Sequence, residues 1–385
     1  MHLHECRILL DASMIQGGGG FTFAAHVIPA LARLHPRDRF RVFTRSSRLA
    51  AALPEAPNLE VDLLPEPSLR ERLRFTYYEA PRIARAWRAS LYFAAGDYTP
   101  LFVPCPVIAS AQNANVTLPW RELRAMYAPA QLVRLRTLRC LAWVSARRCD
   151  AIHYVSAEAA RTMGDALRVP ASKRVFTHHG IDATRWRGVQ GEPPHPRPYI
   201  LSVGSIYPYK NYERLIEAWV ELARLRLATP DLVIVGDDQD ARTSASMQSA
   251  RRAAGELAPR IRFMSEVPHA EVVRWYRYAK LFVFPSYLES FGLPLLEAMA
   301  AEIPLVASDI PVFHEIAGNA ALFANPHDAH ALARAMEAAL FHPGAGELLV
   351  KRGRERVREF TWDRTAARLM AIFVRTIEAR AARRG

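Results

Sequence analysis

Two glutamates, Glu289 and Glu297, stand on either side of a predicted strand-to-helix turn, with seven residues between them. The apolar run LFVFP at 281–285 predicts a buried strand. Pro294 predicts a helix start, because a proline in the first turn has no N–H to leave unpaired. Carboxylates before and one turn inside a helix could bind sugar hydroxyls at two ends of one ligand. In a simpler interpretation both are ordinary acids stabilised by the helix dipole.

The turn between the glutamates is suited to an anion. Main-chain N–H groups at a helix N-terminus attract negative charge, and a glycine lets the backbone approach a ligand closely. The sequence therefore predicts a diphosphate site formed by Ser290, Phe291, Gly292 and Leu293. With a glutamate on each side, this segment is expected to bind a nucleotide-sugar.

Lys210 is a further candidate for binding an anion. It follows the β-rich run YILSVGS at 199–205 and precedes a helical pattern that opens at Asn211, which places a cation at the carboxyl end of a strand. A fixed cation there would stabilise the negative charge that develops on a departing diphosphate. A solvated surface lysine is the alternative, since most lysines are exposed.

These candidates need strands and helices to position them, and the chain alternates the two throughout. The alternation predicts parallel α/β layers. Strands are expected at 6–13, 40–46, 59–65, 90–96, 106–113, 151–156, 174–180, 198–204, 231–236, 261–264, 281–285, 304–308 and 321–324. Helices are expected at 21–34, 70–89, 121–149, 211–227, 243–257, 269–278, 294–301, 328–341 and 362–380.

The segment 188–198 is rich in Pro and Gly and predicts a linker. The expected organisation is a Rossmann-like domain over 1–187 and a second over 199–362, with the terminal helix at 363–385 returning to the first. Ligands of doubly wound sheets bind outside the carboxyl ends of the strands. We therefore expect the first domain to bind the acceptor and the second to bind the nucleotide-sugar, across a cleft.

The composition is that of a globular protein with a sizeable core, since 50% of the 385 residues are hydrophobic. The four cysteines form no C-x-x-C pair. No apolar run approaches the ~18 residues that a membrane span needs, and no secretory signal precedes the first strand. We therefore expect a cytoplasmic protein. The net charge of +13 belongs mostly to residues 1–190, with 26 Lys and Arg against 15 Asp and Glu.

Much of this charge lies in 121–149, which has seven arginines, and in 70–88. A basic amphipathic helix can lie on an anionic membrane surface, so peripheral binding to the inner face of the cytoplasmic membrane is a hypothesis. A core helix with a solvated basic face is the alternative. Nucleic acid would give the same charge signal, but we find no helix-turn-helix, zinc finger or RNA-binding aromatic motif, and no nucleic-acid partner is expected.

The segment FGLPLLEAM around the glutamates resembles the signature of retaining glycosyltransferases of the GT-B fold, in particular family 4. Similar resemblances occur in the glycines at 17–20, in VGSIYPYKN at 203–211, in LVIVGD at 232–237 and in the strand–helix series at 261–286. They imply an α/β chain with two Rossmann-like doubly wound domains facing a central cleft. They also imply a nucleotide-sugar donor, retention of the anomeric configuration, and no metal or other cofactor.

The resemblance also implies roles for single residues. Lys210 would neutralise the diphosphate, Glu297 would bind the ribose, and Glu289 would contact the donor sugar or a nearby phosphate. The base would lie against the backbone around Glu266 and Val267. The remaining expected donor contacts are Gly19, Gly20, Gly204 and Ser205.

The chain departs from the family pattern in two places. Many members carry an arginine at one of the positions occupied here by Ser205 and Tyr209. Many also carry a His-Asp pair where this chain has Gln112 and Asn113. An amide cannot act as a base, so Asn113 is expected at the catalytic site as a hydrogen-bond partner of a sugar hydroxyl. In the alternative interpretation it only forms a turn.

Together these features predict hexosyl transfer, with retention, to a hydroxyl of a glycan or polyprenyl-linked acceptor in bacterial lipopolysaccharide or exopolysaccharide synthesis. The Pro-x-Lys-Asn form of 208–211 resembles mannosyltransferases, so the expected donor is GDP-mannose or a UDP-hexose. Two alternatives stay open. One is a sugar-nucleotide epimerase of similar fold, and the other is a non-enzymatic module that binds nucleotide or nucleic acid through the basic half.

Overall fold

The structure is a computed structural model that describes residues 5–15, 17–65, 68–96, 99–100, 102–188, 191–265 and 267–383. The chain divides into two compact units, of which the first is Met1–Gly180 with Thr361–Gly385 and the second is Ile181–Phe360. Each unit is a parallel sheet with helices packed on it. The expected α/β class and the Rossmann-like organisation of both halves are therefore confirmed.

The sheet of the first unit has seven described strands in the order β3-β2-β1-β4-β5-β6-β7, and all of them run parallel. They are β1 (Arg7–Ala12), β2 (Arg39–Thr44), β3 (Leu59–Leu63), β4 (Leu91–Ala94), β5 (Val107–Ser110), β6 (Ala151–Tyr154) and β7 (Arg174–Phe176). The central strands β4, β5 and β6 are buried along their whole length. Burial on both faces explains why these strands read as continuous apolar runs.

The helices that precede the second unit are α1 (Gly18–Leu34), α2 (Ser47–Ala52), α3 (Leu69–Arg74), α4 (Ala80–Ala86), α5 (Trp120–Met126), α6 (Pro129–Arg148) and α7 (Ala157–Ala166). The single helix expected at 121–149 is divided into α5 and α6. Pro129 occupies the first turn of α6, and the residue before a proline disfavours the helical conformation. The helix expected at 70–89 contains a π-helical turn, Phe75–Glu79, between α3 and α4.

The sheet of the second unit has the order β10-β9-β8-β11-β12-β13 among the described residues. Its strands are β8 (Tyr199–Val203), β9 (Asp231–Val235), β10 (Ile261–Met264), β11 (Leu281–Phe284), β12 (Leu305–Ser308) and β13 (Leu322–Ala324). The helices are α8 (Ala183–Arg187), α9 (Tyr212–Leu225), α10 (Ala241–Ala253), α11 (His269–Tyr278), α12 (Leu293–Ala300), α13 (Pro311–Ala317), α14 (Ala329–Phe341) and α15 (Ala345–Val357). The last helix, α16 (Trp362–Ala382), belongs to the first unit.

Two packing contacts explain where the chain passes from one unit to the other. In α16, Phe373 packs on Phe93 of β4, with ring centroids 5.3 Å apart. In α8, Trp186 is buried edge-on against Tyr276, with ring centroids 5.1 Å apart. Because α8 packs in the second unit, the segment 188–198, which the sequence predicts to be a linker, lies inside that unit. Within the described ranges, no helix combines the length and the apolar character of a membrane span.

Candidate functional site

The candidate residues of the second unit meet at the carboxyl ends of β8 and β11, which are neighbours in the sheet. Lys210 ends a 3-10 turn, Pro208–Lys210, that follows β8. Glu289 lies in the loop between β11 and α12. Because parallel strands end at the same edge, two residues that are 79 positions apart in the chain become neighbours. This edge is where open α/β sheets bind ligands.

Lys210 and Glu289 form an ion pair with Nζ 2.6 Å from Oε1, and their side chains are 11% and 15% exposed. The Lys210 ammonium also lies 5.0 Å from the centroid of the Phe284 ring. The alternative of a solvated surface lysine is therefore wrong, because such a lysine would be exposed. Electrostatic interactions are stronger at this poorly hydrated position than in bulk water.

Asn211 fixes the lysine loop against the neighbouring strand. Its Nδ2 donates to the carbonyl oxygen of Pro285 at 3.0 Å and to that of Pro326 at 2.7 Å. Its φ of +60° lies in the left-handed region, which asparagine tolerates better than most residues. The sequence indicated Asn211 as a helix start and as part of the Pro-x-Lys-Asn pattern, but it did not reveal this role, which depends on contacts with two distant loops.

Two glycines let the loops after β8 and β9 approach each other. Gly204 has a φ of +152°, and its carbonyl oxygen accepts a hydrogen bond from the Tyr212 hydroxyl at 2.8 Å. A methyl group on Gly236 would lie 2.0 Å from the carbonyl oxygen of Gly204, so only glycine fits there. A methyl group on Gly204 would lie 3.4 Å from Lys210 Nζ. Gly204 was predicted at the site, whereas Gly236 was not singled out.

The turn that opens α12 has the shape expected of an anion site. Gly292, the residue before the helix, has a φ of +97°. Gly292 has no side chain to cap the first N–H groups of the helix, and Pro294 lies in its first turn as predicted. Phe291 is buried, and Ser290 and Leu293 are partly exposed. A helix start with uncapped N–H groups presents donors and a positive dipole end to a ligand.

Glu297 is partly buried on α12 and has a hydroxyl partner. The Tyr276 hydroxyl donates to its Oε2 at 2.8 Å. Burial raises the pKa of Glu297 to about 7, against the opposing effects of the Tyr276 hydrogen bond and of the positive charges of Arg185 and Lys210. The carboxyl therefore changes its ionisation near neutral pH. Sequence analysis did not identify Tyr276, which reaches Glu297 from α11.

The residues expected to contact the base lie after β10. Glu266 is outside the described residues. Val267 is partly exposed, and so is Ser205 in the lysine loop. The main-chain N–H of Gly236 donates to the Met264 carbonyl at 2.9 Å, which holds the end of β10 beside β9. The contact between Val267 and a base stays a prediction.

Gly19 and Gly20 belong to the first unit and form part of the first turn of α1, which begins three residues earlier than expected. The preceding Gly17 has no side chain to cap the N–H groups of this turn. A methyl group on Gly17 or Gly18 would contact nothing within 4 Å, so these two positions lie against open space. This helix start, like that of α12, presents main-chain donors.

Asn113 follows β5 in the first unit. Its Oδ1 accepts a hydrogen bond from the Asn115 N–H at 3.1 Å and caps the 3-10 turn Ala114–Thr117. Asn113 therefore stabilises a turn, as the alternative interpretation of this residue predicts. A hydrogen bond between the Asn113 amide and a substrate hydroxyl stays a prediction.

The second unit thus brings together a nearly buried cation, a carboxylate paired with it, an uncapped helix start and a second carboxylate one turn further on. The cation and the N–H groups can stabilise a diphosphate as charge develops on it. The carboxylates can accept hydrogen bonds from sugar hydroxyls. These groups suit a nucleotide-sugar.

Comparisons with known proteins agree with this geometry. Residues 185–356 match the family model described as Glycosyl transferases group 1. The chain is 28% identical over 214 residues to the O-antigen chain mannosyltransferase RfbU of Salmonella typhimurium, covering 56% of this chain and 58% of that protein. It is 31% identical over 166 residues to the O-antigen chain mannosyltransferase B of Escherichia coli, covering 43% of this chain and 42% of that protein. The matched regions span about half the length of these relatives.

A solved structure of similar fold is Anabaena Alr3699/HepE in complex with UDP and glucose. It matches with a TM-score of 0.72 at 15% identity, covering 96% of this chain and 100% of that one. At this identity the likeness concerns the fold alone, and it confirms the expected GT-B fold. The part of the chain that matches the glycosyl transferases group 1 family is therefore residues 185–356, which form most of the second unit.

Proposed function

We propose that the chain is a retaining hexosyltransferase that moves a sugar from a nucleotide-sugar to a hydroxyl of a glycan acceptor without a metal ion. The observation that carries this proposal is the Lys210–Glu289 ion pair at the sheet edge from which α12 starts. A diphosphate leaving group needs a cation and N–H donors, and the sugar beyond it needs hydrogen-bond acceptors. The family match supports the same class of reaction.

In the proposed reaction, the bond between C1 of the sugar and the diphosphate oxygen breaks. The acceptor oxygen forms its bond to C1 on the same face, which retains the configuration. The acceptor proton passes to the departing phosphate oxygen, so no separate protein base is required. Lys210 turns from Glu289 to the phosphate and stabilises its charge. Glu289 then accepts a hydrogen bond from a hydroxyl of the donor sugar, and Glu297 accepts those of the ribose.

GDP-mannose is the donor that we favour over a UDP-hexose. Both relatives named above are mannosyltransferases of O-antigen chains, and the lysine loop has the Pro-x-Lys-Asn form noted in the sequence. The same relatives favour a lipid-linked glycan acceptor in lipopolysaccharide or exopolysaccharide synthesis. The enzyme would then work at the inner face of the cytoplasmic membrane.

The first unit carries a surface that suits such a location. Three exposed aromatic rings on and around α6 each carry an arginine over the ring. The pairs are Trp120 with Arg136 at 5.9 Å, Trp143 with Arg147 at 3.2 Å and Phe102 with Arg148 at 5.4 Å. The rings are 44%, 44% and 73% exposed. Aromatic and basic side chains together favour the interface of an anionic bilayer.

The reaction is tested with a panel of donors. We expect GDP-mannose to raise the melting temperature more than UDP-glucose or UDP-galactose, because a ligand of the native state stabilises it. With lipid-linked glycan extract as acceptor, we expect mannosyl transfer that resists EDTA, and an α-linked product by NMR. Release of free nucleotide at the full rate without an acceptor would instead indicate the epimerase. A β-linked product would contradict retention.

The membrane location is tested by co-sedimentation with phosphatidylglycerol vesicles. We expect binding that weakens with salt, because exposed charges are screened. The variant Trp143→Ala should bind more weakly than the wild type. Leu227→Ala removes an exposed apolar side chain from the second unit and serves as the matched control. Binding that is absent, or equally weak in both variants, would contradict this surface.

A further inference from the structure

A pocket of about 320 Å³ lies at the amino ends of two neighbouring strands in the first unit. Val107, which lines it, is the first residue of β5, and Asp150 directly precedes β6. Parallel α/β sheets bind their substrates at the opposite edge, outside the carboxyl ends of the strands. Asn113 follows β5 at that opposite edge. The pocket is therefore separate from the expected substrate contacts of this unit.

The pocket is lined by charged side chains that come from distant parts of the chain. Arg85 lies in the last turn of α4, Arg148 is the last residue of α6, and Arg380 lies in the last turn of α16. Three arginines against the single aspartate, Asp150, leave the lining with a net charge of +2. The fold thus gathers positive charge around a cavity that is large enough for a small anion.

Asp150 neutralises only one of these arginines. Its Oδ1 accepts a hydrogen bond from Nη1 of Arg380 at 2.9 Å, and its Oδ2 accepts one from the N–H of Val107 at 3.0 Å. The side chain of Asp150 is 9% exposed. Because both carboxylate oxygens are engaged in the wall of the pocket, the aspartate is a fixed part of that wall, and the charges of Arg85 and Arg148 are left over.

Arg85 and Arg148 are exposed guanidinium groups. Within the described ranges, neither one has a carboxylate partner or donates a hydrogen bond to a main-chain carbonyl. Arginines near helix C-termini can bind the last carbonyls, and the adjacent Arg147 does so by donating to the Trp143 carbonyl at 3.2 Å. The two pocket arginines therefore do not serve as helix caps, and their donors are available to a ligand.

We propose that this pocket binds a phosphate group through Arg85, Arg148 and Arg380. The planar guanidinium presents paired N–H donors that match two phosphate oxygens. A phosphate ester has a charge of about −2 at neutral pH, which balances the net charge of the lining. The inference goes beyond the proposed reaction and does not depend on it.

The phosphate group could belong to a soluble phosphate compound or to the headgroup of a lipid. The ring of Phe102 lies at the pocket, is 73% exposed and has Arg148 over it at 5.4 Å. An exposed aromatic ring beside a basic group suits the headgroup region of a bilayer. The soluble compound offers the same chemistry to the arginines, and two arms of the experiment distinguish the sources.

The first arm measures the binding of inorganic phosphate by calorimetry, at constant ionic strength. Lys210→Met is used as the background, because it leaves Glu289 unpaired and so keeps the anion away from the donor site. We expect Arg85→Gln and Arg148→Gln each to raise the dissociation constant at least ~10-fold, as for the loss of one charge-assisted hydrogen bond. Both side chains are exposed, so their replacement should leave the fold intact.

Arg277→Gln is the matched control, since Arg277 is an exposed arginine in the last turn of α11 in the second unit. It should leave the dissociation constant unchanged. A Lys210→Met protein that binds no phosphate would overturn the proposal. So would Arg85→Gln and Arg148→Gln variants that bind phosphate like the control, since that result is expected if these arginines only complement the helix dipoles.

The second arm measures co-sedimentation with phosphatidylcholine vesicles that contain phosphatidic acid, whose headgroup is a phosphate monoester. If the natural ligand is a lipid, Arg85→Gln should bind these vesicles several-fold more weakly than Arg277→Gln does. If it is a soluble phosphate compound, the two variants should bind the vesicles equally while differing in the first arm. Either result supports the site, and the comparison assigns its ligand.

Discussion

Nζ of Lys210 and Oε1 of Glu289 lie 2.6 Å apart, so two residues that were each expected to bind the donor bind each other. The pair neutralises a cation that is nearly buried. A diphosphate that approaches the start of α12 must compete with Glu289 for this ammonium. The ion pair therefore sets both the charge that the ligand meets and the position from which Lys210 acts.

Removing the lysine tests its role in the transition state. We expect Lys210→Met to lower kcat by at least ~10²-fold, as for the removal of a group that stabilises developing charge. Lys351→Met removes an exposed lysine from α15 and serves as the control with unchanged kinetics. Steady-state rates with saturating donor provide the measurement. If Lys210→Met turns over like the control, Lys210 does not act on the leaving group.

Glu289→Gln removes the charge that competes with the ligand and keeps the shape of the side chain. Since Lys210 loses its counter-ion, we expect GDP or UDP to bind several-fold more tightly, while turnover falls because a carboxylate that binds the donor sugar is lost. Isothermal titration with the free nucleotide and rates with the nucleotide-sugar separate the two effects. Weaker nucleotide binding would show that Glu289 orients the lysine rather than competing for it.

Glu297 gives the donor affinity a pH dependence. Burial raises its pKa to about 7, so the carboxyl is ionised above that pH and becomes protonated as the pH falls through it. A protonated carboxyl is a weaker acceptor for the ribose hydroxyls. We expect the KM of the donor to rise as the pH falls below about 7, and Glu297→Gln to bind donor weakly at every pH. A wild-type KM that stays constant from pH 6 to 8 would contradict this assignment.

The raised pKa of Glu297 also makes the stability of the fold depend on pH. Stability favours low pH, whereas donor affinity favours high pH. The pKa of Glu297 is raised from 4.5 in the unfolded chain to about 7 in the folded one, so the folded state binds more protons between these values. Ionisation of Glu297 therefore lowers stability as the pH rises through this range, and the loss is complete above it. Glu297→Gln should raise the melting temperature at pH 8 and raise it less at pH 5. Equal shifts at both pH values would contradict this linkage.

The strands and the turn at 289–297 could be predicted because their signals are local. Apolar runs between turn residues predict buried parallel strands, and Pro294 after Gly292 predicts the start of α12. The position of α8 could not be predicted in this way. Its place in the second unit depends on the contact between Trp186 and Tyr276, which are distant in sequence.

Residues that position the site were missed for the same reason. Asn211 acts through the carbonyls of Pro285 and Pro326, and Tyr276 acts through Glu297. The spacing of residues along the chain does not predict the hydrogen-bond partners of either residue. The Lys210–Glu289 pair shows the same limit, because sequence placed both residues near one ligand without indicating that they bind each other.

Gly236 makes the most direct connection between packing and the site. A methyl group there would lie 2.0 Å from the Gly204 carbonyl oxygen, and both atoms belong to the main chain or are fixed to it. Gly236→Ala must therefore push the lysine loop away from β9, with a cost of about 1–3 kcal/mol typical of overpacking. We expect a melting temperature lower by at least ~3 °C and a kcat/KM reduced about tenfold, because Lys210 moves with the loop.

Gly188→Ala, whose methyl group would lie 3.6 Å from the Thr184 carbonyl oxygen, is the matched control. Calorimetry and rates of both variants decide the matter, and a Gly236→Ala enzyme with wild-type kinetics would show that the loop can shift without moving the lysine.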